Sequence, residues 1–165
     1  MISAPYRIDV HHHLVPPFWA ETSSSHGGDP SGWGGRAWSP AASLGFMDTQ
    51  QIATAVLSLD ASGATSWQVE PRRDMARRVN EFGAELVAWR PDRFGSFATL
   101  PLPDIDTALR ELEYAFDTLG ADGVVLLSNY AGRYLGDPVF DPLWAELDRR
   151  EAWSSSTRRS RRSQP

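Results

Sequence analysis

The sequence predicts an α/β protein in which a parallel sheet is covered by helices. Three observations carry this expectation. Short apolar runs alternate with helix-period segments along the chain. The run Gly123–Leu127 (GVVLL) is apolar throughout, as a strand buried on both faces should be. Asp, Ser, Pro and Gly fall between the segments, where helix caps and turns need them.

Taken in order, Tyr6 to Val10 reads as the first strand. A Gly-, Ser- and Pro-rich loop follows from roughly Pro16 to Ser39, and a loop that long is usually functional or disordered. Ser39-Pro40 supplies an N-cap and a proline at the first helical position, opening a helix to about Gln51. Ala53 to Leu59 is the second strand. Met75, Val79, Phe82, Leu86 and Trp89 then recur at spacings of 4, 3, 4 and 3, a one-faced helical stripe that Pro91 ends. Phe94 to Leu100 is the third strand. Asp104 or Asp106 caps the next helix, and Gly120 suits its C-terminal cap. Gly123–Leu127 is the fourth strand, and Asp137-Pro138 opens a last helix carrying Phe140, Leu143, Trp144 and Leu147. Four βα units result, with no internal repeat.

Composition bounds the function. A chain of 165 residues suggests one domain, and 41% apolar residues suffice for a core. There is no cysteine, so neither a disulfide framework nor a thiolate metal site is possible. The N-terminus reads as lacking a signal peptide, and no apolar run is long enough to span a bilayer, so the cytoplasm is the expected location. The net charge is −5, and without the four arginines of residues 153–165 it is −9, a balance that does not favour nucleic acid. All 16 basic residues are arginine. A Schiff-base lysine, a P-loop lysine and a carbamylated lysine bridging two metals are thereby excluded, and a metal site is expected to be mononuclear.

Three of the four histidines, His11, His12 and His13, directly follow the first strand. Strand alternation places His11 and His13 on one face and His12 on the other. Asp9, expected on the face of His11 and His13, suits either a carboxylate that orients a ligating imidazole from behind or a buried structural role. The pair makes half a site, since catalytic zinc takes three protein ligands and a water. His26, in the long loop, reads as a solvated loop residue or a surrogate ligand. Ser128 and Asn129 follow the fourth strand and either contact substrate or shape a turn. Arg36 either pairs with a substrate carboxylate or is a solvated loop arginine.

The segment Ile8-Asp9-Val10-His11-His12-His13-Leu14-Val15-Pro16 resembles the strand-1 signature Asp-x-His-x-His-x-x-Pro of the amidohydrolase superfamily, and its aminocarboxymuconate-semialdehyde decarboxylase-like branch above all. The likeness runs over residues 6–152. It includes Trp38-Ser39-Pro40, Phe46-Met47-Asp48, Arg93-Phe94-Gly95, Leu119 to Val124 and Asp137-Pro138. The resemblance implies the N-terminal half of a metal-dependent (β/α)₈ barrel. It implies His11 and His13 as ligands of a divalent metal, most often zinc. It implies decarboxylation of a small carboxylated aromatic or muconate-like compound, with metal-dependent hydrolysis as the alternative. A third ligand, a histidine ending strand 5, is due a few residues after Ala152. An aspartate ending strand 8 and an acid/base histidine near strand 6 are due later. None of these is present, so no catalytic residue is assigned.

After Ala152, where a fifth strand is due, the chain reads WSSSTRRSRRSQP. Residues 153–165 are expected to be a non-native, disordered basic tail. A shifted reading frame accounts for them. Moving TGG-TCT-TCG-TCC-ACC-C back by one base, behind a G, encodes Val-Val-Phe-Val-His-Pro, a strand ending in histidine. The expectation for this chain is a half-barrel without turnover, prone to homo-oligomers or aggregates through open strand edges. A non-catalytic half-barrel that assembles with a partner chain is the competing class.

Overall fold

The computed structural model describes residues 6–26, 38–59 and 62–157. A five-stranded parallel sheet runs in the order β1 (Arg7–His13), β2 (Ile52–Ser58), β3 (Phe94–Thr99), β4 (Gly123–Leu127) and β7 (Trp153–Thr157). The strands occur in the sheet in the order of the sequence, as in one wall of a barrel. Helices α1 (Pro17–Ser25), α2 (Pro40–Gln50), α3 (Val69–Trp89), α4 (Ile105–Asp117) and α5 (Asp141–Arg149) connect them. A small hairpin, β5 (Asn129–Tyr130) and β6 (Arg133–Tyr134), stands between β4 and α5. No described helix is long and apolar enough to cross a membrane.

Local chemistry sets the helix starts. Ser39 caps α2 by accepting the Ala42 N–H, and Asp104 rather than Asp106 caps α4 by accepting the Thr107 N–H. Gly120, at φ 69°, follows α4 in the left-handed region that glycine tolerates. The core forms two clusters. One gathers Leu14, Trp19, Met47, Leu57, Met75 and Val79 around β1 and β2, and the other gathers Leu112, Val124, Leu126, Phe140 and Leu143 around β3 and β4. All five residues of β4 are buried.

Four expectations are corrected. The first strand runs to His13 instead of ending at Val10, so the histidines lie within it. The loop after it contains α1, held by Trp19, which is fully buried and stacks on Trp67 at 5.6 Å. The last helix is split into a 3₁₀ turn, Pro138–Phe140, and α5. Residues 153–157 are not disordered: Trp153–Thr157 pairs in parallel with β4, from Gly123–Trp153 to Leu127–Thr157. Main-chain hydrogen bonds build that ladder whatever the side chains, and an edge strand tolerates polar ones. Residues 158–165 lie outside the described residues.

Candidate metal centre

Parallel pairing brings the C-terminal ends of the strands to one rim, where barrel enzymes keep their active sites. His13 pairs with Ser58, Thr99 with Val125, and Leu127 with Thr157 along that rim. Ser128 and Asn129 stand just beyond β4, where the Ser128 N–H donates to the Thr157 carbonyl at 2.8 Å.

His11 and His13 come together. Their ring centroids are 5.0 Å apart and the planes meet edge-on at 81°. Two imidazoles bound to one tetrahedral zinc, with Zn–N near 2.1 Å, have centroids about 5 Å apart. The separation of the two rings matches that spacing. Among the described residues, no group of three His, Cys, Asp or Glu side chains gathers to hold a metal.

Asp9 is placed differently from the simple alternation. Between Asp9 and His12, three steps along β1 match two along β2, from Ala55 to Leu57. This bulge shifts the parity. Asp9 Oδ1 accepts the His11 backbone N–H at 3.1 Å, and Asp9 Oδ2 lies 3.0 Å from His12 Nδ1. His12 Nε2 in turn lies 3.0 Å from Ser43 Oγ of α2. The imidazole that this carboxylate contacts is thus His12, the histidine that alternation sets on the opposite face.

His26 ends α1. Its ring stacks on Trp67 at 4.5 Å, and its Nδ1 lies 2.9 Å from the Thr22 carbonyl. Asn129 is half-buried in the hairpin and pairs with Tyr134 across it. Arg36 lies outside the described residues.

Arg72 was not singled out by sequence, since one arginine among many carries no signal. It is buried beneath the rim, donating to the carbonyls of Thr65, Trp67 and Pro101 at 3.1–3.2 Å. It ties the segment after β2 to the segment after β3. Burial pulls its pKa down, against the attraction of Asp104.

The sheet order and its covering helices define one half of a (β/α)₈ barrel. The chain belongs to the amidohydrolase family, whose pattern it matches over residues 8–154. It is 47% identical over 152 residues to a protein of Aspergillus niger named decarboxylase yanB, covering 88% of this chain and 41% of that one. It is 39% identical over 150 residues to 6-methylsalicylic acid decarboxylase of Penicillium expansum, covering 88% of this chain and 46% of that one. Its structure is similar to the manganese-bound dihydroxybenzoic acid decarboxylase of Polaromonas sp. JS666. The TM-score is 0.76 at 26% identity, over 93% of this chain and 49% of that one. The chain thus spans less than half the length of these two curated relatives.

Proposed function

We propose that this chain is the N-terminal half of a metal-dependent decarboxylase, a carboxy-lyase acting on a small hydroxylated aromatic acid. The edge-on pair of His11 and His13 at the end of β1 carries the reading. The relatives support it, two of them being named for benzoic acids with ring hydroxyls.

His11 and His13 would hold one divalent ion, with zinc favoured by imidazole donors. When bound, the ion supplies Lewis-acid polarisation of substrate oxygens or of a water. The histidines bind and orient. Asn129, just beyond β4, and Arg36 are the proposed substrate contacts, a guanidinium being suited to a carboxylate. The bond between ring carbon and carboxylate breaks, its electron pair stays on the ring carbon, and a proton from an acid outside this chain replaces CO₂. We place the protein in the cytoplasm, in keeping with its lack of cysteine.

We further propose that the reading frame shifts after Ala152. The family match stops at residue 154, yet the strand continues to Thr157. The frame-corrected sequence sets a histidine at position 157, the rim position of the fifth strand.

Sequencing the locus tests the frame: an open frame downstream encoding further βα units supports it, and non-coding DNA refutes it. Trapping CO₂ from 6-methylsalicylate or 2,6-dihydroxybenzoate tests the activity of the frame-restored protein. Release of CO₂ is expected. Hydrolysis of an amide or ester without CO₂ release would reassign it as a hydrolase.

A further inference from the structure

We propose that Asp9, His12 and Ser43 form a hydrogen-bonded brace that sets the orientation of the His11–His13 pair; the inference rests on reading that pair as metal ligands. One carboxylate does two tasks. Its Oδ1 takes the backbone N–H of His11, and its Oδ2 faces His12 Nδ1. The first bond pins the bulge, so the backbone that carries the His11 ring cannot rotate freely. The second sets one proton: a carboxylate only accepts, so Nδ1 carries a proton and Nε2 is turned toward Ser43. Ser43 Oγ hydrogen-bonds with Nε2 across 3.0 Å.

The anchor is rigid. Ser43 is 5% exposed in the first turn of α2, one turn before Met47, which is fully buried. The His12 side chain is only 10% exposed. β1 is an edge strand that pairs with β2 on one side only among the described residues. The brace ties it to the helix layer at the level of the two ligands. The order hydroxyl, imidazole, carboxylate is that of a hydrolytic triad. Ser43 is too buried to attack a substrate, so here the order serves positioning. His12, Asp9 and Ser43 are positioning residues, and the metal affinity of their neighbours is what they govern.

The test is zinc binding to the full 165-residue chain, read by competition with a chromophoric chelator. Alongside it, long-range nitrogen-15 NMR reads the His12 tautomer. Ser43→Ala and Asp9→Asn are each expected to weaken zinc binding by about tenfold. Ser43→Thr keeps the hydroxyl and is expected to restore it. The wild-type spectrum is expected to show His12 protonated on Nδ1. Far-UV circular dichroism keeps the comparison to folded variants, and His12→Asn serves as a second disruption if Asp9→Asn does not fold. Zinc affinity unchanged in Ser43→Ala, Asp9→Asn and His12→Asn would overturn the brace alone. Zinc binding retained in His11→Ala/His13→Ala, or absent from the wild type, would overturn the ligand assignment and the brace with it.

Discussion

Gly123 passes so close to Trp153 that a Cβ on the glycine would lie 2.5 Å from the Trp153 carbonyl oxygen and 2.9 Å from the Phe97 ring. The contact is with backbone, which cannot swing aside as a side-chain tip does. Gly123→Ala should therefore push β7 off β4 and cost about 1–3 kcal/mol. Gly45 in α2 is the control: it is exposed, and nothing lies within 4 Å of its Cβ position. Gly45→Ala should stabilise the chain by about 0.5–1 kcal/mol. Urea unfolding of both variants measures the contrast, and equal effects would contradict the pairing.

Two carboxylates should give opposite pH signatures. Glu111 is buried between α3 and α4, accepting from Asn80 Nδ2 at 2.8 Å and Arg77 Nε at 2.9 Å. Burial outweighs these bonds and raises its pKa. A raised carboxyl gives stability that is complete below the unfolded pKa of about 4.3 and is lost as pH rises through the folded value. Glu111→Gln keeps a carbonyl for Asn80 and cannot ionise. The stability of the wild type relative to Glu111→Gln should fall from pH 4 to pH 7.

Glu146 does the reverse. Hydrogen bonds from Arg149, and next from Arg150, pull its pKa down to about 2. Its contribution is present above about pH 4.3 and is lost as pH falls toward 2. Unfolding curves of Glu146→Gln and wild type should converge as the pH approaches 2 and separate by pH 6. Added salt should shrink the separation, since the group is at the surface.

Asp104 accepts both the N–H and the hydroxyl of Thr107, at 2.9 and 2.7 Å, and these bonds hold its carboxyl below the usual range. Asp104→Ala should cost about 1 kcal/mol, and Asp104→Ser should recover most of it. Asp106, exposed one residue into α4, contributes through the helix dipole alone, so Asp106→Ala should cost less, about 0.5 kcal/mol. A larger loss at Asp106 would place the cap wrongly.

Much of this was legible in the residues. GVVLL is β4 to the residue, and Met75, Val79 and Leu86 are the buried stripe of α3. His11 and His13 meet as the alternation requires. Three things were not legible, each for a physical reason. α1 has little amphipathic pattern and depends on Trp19 burying itself against distant Trp67. The hairpin turns on Ala131 and Gly132, at φ 49° and 81°; Gly132 marks a turn, but strands of two residues are too short to show a period. The role of Asp9 depends on a bulge, which a two-residue period does not reveal.

The most direct test of the metal-dependent decarboxylase reading measures metal content and CO₂ release together in the frame-restored protein, as wild type and as His11→Ala/His13→Ala. The account predicts about one divalent ion per chain and CO₂ release for the wild type, with both lost in the variant. CO₂ release that survives in a metal-free variant would contradict it.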